Sequence, residues 1–464
     1  MAIRFGTSGW RAIMADEFTF ANVRRVARAI CRYLLESGER RTLLVVGHDT
    51  RFLGESFTEL CAEEIASCGF DVLKCSGPTP TPVISHVIRQ HRAAGGINFT
   101  ASHNPPEYNG MKFSTGNGAP ALPEITRRIE ELIADETRQA VSASRVGRIE
   151  EHDPRPDYFA DISGKVRFAV IERAGGSYGY DALWGTGRGY LDELLRRHEL
   201  KVITLHDWRD VLFGGRAPEA DRDHLQELAV LVREQNCVLG LATDGDADRF
   251  GVLDGDGTFI TPNQLIALLF DYLVESRGWT GGVARSVATS HLVDRVAQAR
   301  GLPVYETPVG FKYIGELISA DKIVLGGEES AGLSIRGHYP EKDGILACLL
   351  AAEAVAARGA GLREQLEALY ARVGRVVSRR TAMRTTPEVQ KALAEKLRYD
   401  PAQIGGRRVA EINRLDGVKF IFEDGAWLLM RPSGTEPLIR IYAESESERD
   451  LEVLLEQGRK YLLE

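Results

Sequence analysis

Apolar and polar positions change period repeatedly along this chain. Residues 42–48, Thr-Leu-Leu-Val-Val-Gly-His, form a continuous apolar run that predicts a buried strand. A polar turn, Asp49-Thr50-Arg51, follows, and the spacing from Ser56 to Ser67 predicts an amphipathic helix that Gly69 ends before a strand over 70–75. Such switching marks α/β units around a mostly parallel sheet. It recurs as a strand over 165–171 with a helix over 187–197, and as a strand over 283–289, a helix over 291–300 and a strand over 302–306. Helices over 222–235 and 263–276 begin after Asp221 and Pro262, residues suited to a helix start. After Arg379-Arg380 the pattern changes: strand-like runs at 408–413, 417–422, 426–431 and 438–443 precede a helix over 447–462. The expected division is three α/β blocks, 1–150, 151–256 and 257–372, and an α+β block, 373–464.

The length of 464 residues suggests about three domains, with four possible, at roughly 150 residues each. Lys plus Arg number 58 against 66 Asp plus Glu, and the net charge of −8 argues against general nucleic-acid binding. An anionic ligand would therefore need positive charge gathered locally. The 47 glycines exceed ordinary usage and point to many tight turns. The six cysteines (31, 61, 68, 75, 237 and 348) form no CxxC pair and read as small buried hydrophobes in a reducing compartment. The N-terminal stretch has no apolar signal region, and the apolar run Ile345–Ala352 is far too short to span a bilayer. A cytoplasmic protein with no membrane partner is expected.

Four segments carry candidate chemistry. Thr100-Ala-Ser-His-Asn-Pro105 follows the strand-like Gly96–Phe99, and Lys112 lies shortly downstream. Ser102 there could be a nucleophile if a base, metal or charged neighbour activates it; a loop held by Asx-type hydrogen bonds has the same wording. Asp244-Gly-Asp-Ala-Asp-Arg249 follows a strand over 238–243, and three carboxylates this close call for a hard cation such as Mg²⁺ or Ca²⁺. Gly326-Gly-Glu-Glu-Ser-Ala-Gly332 sets Glu328 and Ser330 on a tight turn that could hold sugar hydroxyls or simply connect two elements. Arg431-Pro-Ser-Gly-Thr-Glu-Pro437, with Arg440 behind it, suits a phosphate through Arg431 and the backbone around Gly434. Gly6-Thr-Ser-Gly-Trp-Arg11 echoes it near the N-terminus.

Two further segments compete. Gly185-Thr-Gly-Arg-Gly189 lacks the third glycine of a dinucleotide fingerprint. Asp254-Gly-Asp-Gly-Thr258 resembles the first motif of haloacid dehalogenase-like phosphatases, in which Asp254 would attack phosphate and Asp256 would act as acid/base. A β-hairpin with a Gly-Asp-Gly turn is the preferred reading.

Together the four segments, in order and spacing, resemble the α-D-phosphohexomutase superfamily, the phosphoglucomutase/phosphomannomutase group, from Phe5 to about Tyr461. The resemblance implies three α/β domains with mixed sheets and a C-terminal α+β domain around a central cleft. It implies that Ser102 carries phosphate and that Asp244, Asp246 and Asp248 bind Mg²⁺ together with that phosphate. It implies that Lys112 and Arg11 lie near the phosphoserine, with Lys112 the better acid/base candidate, and that His103 and Arg249 support the site. Glu328 and Ser330 would grip sugar hydroxyls. Arg431, Ser433, Gly434, Thr435 and Arg440 would hold the other phosphate, while Arg285 and Lys312 would line the cleft. Some members carry His where this chain has Phe311, which leaves Lys312 as that segment's candidate. The wording Gly-Glu-Glu-Ser and Gly-Phe-Lys leans to glucose over glucosamine phosphates. The implied reaction interconverts glucose 1-phosphate and glucose 6-phosphate through glucose 1,6-bisphosphate. Alternatives are a phosphomannomutase or dual-specificity enzyme, a phosphatase using Asp254, and a non-catalytic sugar-phosphate binder. A monomer or homodimer acting on small hexose phosphates is expected.

Overall fold

The computed structural model describes residues 3–6, 8–135, 145–432 and 438–463. The apolar run read as the first strand is Leu43–His48, buried on both faces and flanked in parallel by Asp71–Cys75 and Gly95–Phe99. Tyr108–Thr115 and Trp10–Ile13 add antiparallel on one side, and Ile149–His152 closes the other edge in parallel. The helix after the Asp49–Arg51 turn is Gly54–Ser67. A second sheet pairs Ser177–Asp181 in parallel with Lys201–Leu205 and Leu239–Thr243, then adds the hairpin strands Phe250–Asp254 and Phe259–Ile260. In the third sheet Val304–Thr307, Gly282–Ser286 and Ile323–Glu328 run parallel and Gly332–Ile335 runs antiparallel. The fourth is antiparallel throughout and carries the expected tail strands as Arg407–Asn413, Val418–Phe422, Trp427–Pro432 and Leu438–Ser445. Mixed sheets in three α/β units and an α+β tail are thus the observed fold.

The reading of 165–171 as a strand is wrong. Arg155–Lys165 and Phe168–Ala174 are helices, and the strand that follows is Ser177–Asp181. Buried Tyr158, Ile162, Phe168 and Ile171 form the apolar side of this helical pair. The short run Val166–Ile171 does not by itself reveal that period. Other starts shift. Asp221 accepts hydrogen bonds from the backbone N–H groups of Asp223 and His224, and the helix begins only at Gln226. Thr261 caps Pro262–Arg277 in a reciprocal box with Gln264, and Pro262 is the first helical residue. The helix expected from 187 starts at Leu191. The strand Val377–Arg384 and the helix Pro387–Lys396 were not foreseen.

The first sheet packs two apolar clusters, one including Phe18, Phe57, Phe99 and Met111 and the other including Val45, Leu73, Ile84 and Val87. The second and third sheets share a large core in which Tyr180, Leu241, Phe270, Leu325 and Leu349 belong to one cluster, and each has a smaller cluster of its own, around Leu228 and around Ile314. The fourth has its own core around Phe420, Leu428 and Leu454. Trp427, Leu429 and Tyr442 also pack on Val287 and Ala288 of the third unit. Every cysteine is buried and free, as expected. Among the described residues no single helix is long and apolar enough to cross a membrane, and the apolar Gly344–Arg358 lies buried in the shared core.

Candidate active site

Three loops meet at the carboxyl ends of their parallel strands, the place where open α/β sheets bind ligands. The first leaves Gly95–Phe99, the second leaves Leu239–Thr243, and the third leaves Ile323–Glu328. Their approach depends on glycine at Gly245, where a Cβ would stand 2.6 Å from the carbonyl oxygen of Ser102. The backbone N–H of Thr81 donates to the carbonyl of Asp246 at 3.0 Å, and that of Phe250 to Ala331 at 3.1 Å, tying the three units together.

Ser102 is buried and sits at φ 51°, a left-handed conformation rare for a non-glycine residue. The loop is held from beneath by Arg51. This fully buried guanidinium donates to the carbonyl oxygens of Ser102 (2.7 Å), Asn104 (2.6 Å), Pro105 (2.8 Å) and Tyr108 (3.0 Å) and pairs with Asp49 at 3.2 Å. The hydroxyl of Ser102 donates to Asp244 Oδ2 at 2.9 Å and lies 3.3 Å from His103 Nδ1. Burial, with Arg249 and Arg11 adding to it, holds His103 well below the usual histidine range. Arg11 donates to Asn104 Oδ1 at 2.7 Å and is lowered by burial and by Arg249.

Asp244, Asp246 and Asp248 each bring one carboxylate oxygen within 4.8 Å of the others, all buried. Lys112 Nζ donates to Asp246 Oδ2 at 2.5 Å and to Asp248 Oδ2 at 2.8 Å. Thr81 also donates to Asp246, and Asn98 donates to Thr81 at 2.9 Å. Lys342 Nζ lies 3.0 Å from Asp248 Oδ2 and donates to Glu341 at 3.0 Å. Burial raises Asp244 well above the carboxylate range, with Asp248 and Asp246 reinforcing it. Burial would raise Asp248 too, but Lys112, Lys342 and Arg249 outweigh it and hold it well below that range. Burial would lower Lys112, yet Asp246 and Asp248 win and keep it raised. Oδ1 of Asp246 and Oδ1 of Asp248 are buried without a hydrogen-bond partner among the described residues. Orphaned carboxylate oxygens in an all-oxygen cluster fit a hard dication such as Mg²⁺. Arg249 contributes its backbone N–H to Asp244 Oδ1 at 3.0 Å, and its side chain lies 3.7 Å from Glu219.

Glu328 is buried and accepts from the backbone N–H of Gly310 at 2.7 Å; burial, reinforced by Glu329, pushes it up to about 7. Ser330 is half-buried in the turn that follows. Lys312, in the first turn of Phe311–Ser319, is lowered by burial. On the fourth sheet Arg431 lies directly across from Arg440, and its Nε donates to Asp416 at 2.9 Å. Ser433, Gly434 and Thr435 lie outside the described residues, as does Thr7 of the N-terminal echo. Arg285 does not stand open to a ligand: its donors go to Asp294, Glu306 and the Ser286 carbonyl. The reason is burial, which obliges a guanidinium to find carboxylates within the protein. Asp254 ends a hairpin strand and accepts from the backbone N–H groups of Leu362 and Arg363 at 2.9 and 3.0 Å, a capping role that fits the hairpin reading. Arg51, Thr81, Glu341 and Lys342 were missed. The charged Glu341-Lys342-Asp343 run before a very apolar helix was the available signal for the last two.

Known proteins agree with this architecture. Models described as phosphoglucomutase/phosphomannomutase α/β/α domains I, II and III and C-terminal domain match residues 2–140, 156–257, 261–373 and 365–459. A "Phosphoglucomutase/phosphomannomutase" of Thermococcus kodakarensis is 32% identical over 99% of this chain and 98% of its own. A "Probable phosphoglucosamine mutase" of Methanosphaera stadtmanae is also 32% identical, with the same coverage. The solved structure of a "putative phosphomannomutase" from Thermus thermophilus is 35% identical, covers 100% of both chains and superposes with a TM-score of 0.87. Fold and relatives define a phosphohexomutase, an isomerase that transfers phosphate intramolecularly. The chain belongs to the phosphoglucomutase/phosphomannomutase family.

Proposed function

We propose that the chain interconverts glucose 1-phosphate and glucose 6-phosphate through phosphoserine 102. The observation that carries this reading is the Ser102 hydroxyl 2.9 Å from Asp244 Oδ2, at the rim of a three-aspartate cluster held by Lys112. In the forward half-reaction the bond between phosphorus and Ser102 Oγ breaks and one forms to the sugar 6-oxygen. The 6-hydroxyl proton passes to a protein base; Lys112 is the group assigned to this transfer and accepts it only as the free amine, after a dication taking Asp246 and Asp248 lets it lose its own proton to solvent. Glucose 1,6-bisphosphate then turns round and returns its other phosphoryl group to Ser102. Asp244, Asp246 and Asp248 would hold Mg²⁺, which supplies charge neutralisation to the moving phosphoryl group. Arg11, His103 and Arg249 surround the reacting end. Glu328 and Ser330 take sugar hydroxyls, Lys312 lines the same space, and Arg431, Ser433, Gly434, Thr435 and Arg440 hold the distal phosphate.

The preference for glucose rests on the wording Gly-Glu-Glu-Ser and Gly-Phe-Lys, since the relatives above carry three substrate names. A coupled assay on glucose, mannose and glucosamine 1-phosphates, each primed with its bisphosphate, tests this, with glucose expected to turn over fastest. Equal rates on all three would defeat the glucose assignment. Ser102→Ala should abolish turnover on every substrate, and near wild-type rates in that variant would sink the phosphoserine cycle.

A further inference from the structure

A second cluster of ligating side chains lies away from the three aspartates, on the far side of the linker between the first and second sheets. His91 caps the C-terminus of the helix Thr81–Gln90, His152 ends the edge strand Ile149–His152, and Asp157 lies in the first turn of Arg155–Lys165. One ligand atom from each lies within 4.8 Å of the other two. The two imidazoles meet edge to face, with centroids 4.9 Å apart. Nε2 of His152 is buried without a hydrogen-bond partner, which is costly for a polar nitrogen unless something binds it. Among the described residues no hydrogen bond or ion pair engages the side chain of His91 or of Asp157.

We propose that His91, His152 and Asp157 form a second metal site, selective for a transition-metal dication of the Zn²⁺ or Ni²⁺ type. Two imidazole nitrogens and one carboxylate oxygen form a donor set of this kind; Mg²⁺ and Ca²⁺ favour oxygen alone. Tetrahedral bonds of about 2.1 Å place ligand atoms about 3.4 Å apart, so the cluster needs to close by at most about 1.4 Å. Rotation of the solvent-exposed His91 side chain supplies that movement. Acidic groups surround the cluster: Asp153 and Glu150 also act on His152, while Arg155, the cation next to the linker, is engaged by Asp153 at 2.8 Å. The ligands come from a helix, a sheet edge and the first turn of the next unit. A bound ion would therefore staple the Asp153-Pro154 connection.

The test titrates the full-length protein with Co²⁺ in excess Mg²⁺, which occupies the aspartate cluster. One equivalent should bind with the intense visible bands of a tetrahedral, nitrogen-containing site, and Zn²⁺ should displace it. His91→Ala, His152→Ala and Asp157→Asn should each weaken binding about tenfold or more and leave sugar-phosphate turnover intact. Turnover also reports that each variant is folded, and the exposed His91→Ala suffices if the other two fail to fold. Absence of the tetrahedral bands in the wild type would overturn the proposal, as would a site that His91→Ala leaves unchanged.

Discussion

Two buried lysines invite comparison. Lys112 meets two aspartates at the proposed active site, while Lys419 is sealed between the third and fourth units. Lys419 Nζ donates to the Val287 carbonyl at 2.9 Å, to His291 Nε2 at 2.7 Å and to Glu306 at 3.4 Å, and lies 4.1 Å from the Trp427 ring centroid. Both are buried, yet their proton affinities move in opposite directions. Lys112 is raised because Asp246 and Asp248 outweigh its burial. Lys419 is lowered to about 7 by burial and by Arg285, which claims most of Glu306. Burial lowers both amines, and the local ratio of carboxylate to cation decides whether that lowering is outweighed. Near Lys112 the carboxylates retain orphaned oxygens that a dication can take, whereas near Lys419 Glu306 also serves Arg285 and Asn413.

Substitution separates the two most sharply. Lys112→Met should lower turnover about 10²- to 10⁴-fold in the coupled assay, the range of a lost acid/base group. It should also tighten Mg²⁺ binding measured by calorimetry, because an ammonium no longer competes for Asp246 and Asp248. Turnover within threefold of wild type would remove Lys112 from the chemistry. Lys419→Met should instead leave turnover close to wild type and hold or raise the melting temperature. A buried ammonium lacking a carboxylate of its own costs more than a well-packed apolar side chain. A large loss of melting temperature in that variant would show that the Lys419 hydrogen bonds outweigh its burial.

The smallest effect is in the pH dependence of stability. With Lys419 lowered to about 7, the unfolded chain binds more protons between about pH 7 and the ordinary lysine range, so stability rises with pH across that window. With Glu328 raised to about 7, the folded chain binds more protons between the ordinary carboxylate range and pH 7, so stability falls as pH rises there. Denaturant midpoints at pH 5, 7 and 9 should reveal both slopes. Lys419→Met should flatten the alkaline limb and Glu328→Gln the acid one; unchanged limbs would contradict these assignments.

Much of this was legible in the sequence because it is local. Strand-ending loops such as 100–105 and 244–249 combine an apolar run with a polar turn, and both signals lie within ten residues. Arg51 was read only as part of a polar turn, since its acceptors Ser102, Asn104, Pro105 and Tyr108 are more than fifty residues away. The partners of Arg285 were hidden for the same reason: Asp294 is near in sequence, but Glu306 reaches it only through strand pairing. The 165–171 run failed because seven apolar-rich residues fit a strand or a helix turn equally well, and Gly175-Gly176 hid the true strand after it. The strand Val377–Arg384 was obscured by its basic, largely exposed face.

The core shared by the second and third sheets has a further consequence. The molecule has four sheets, yet its largest apolar cluster spans the second and third, so those two are expected to unfold together. Calorimetry should resolve at most three transitions. In a chain severed near residue 260 the first and fourth units should still fold, but the second and third should fold only when the two fragments are mixed, because neither fragment contains enough of the shared interior to close it. Those two segments therefore fold as a pair, and the three-aspartate loop on one and the Glu328 loop on the other keep a fixed mutual aim that does not depend on the fourth unit.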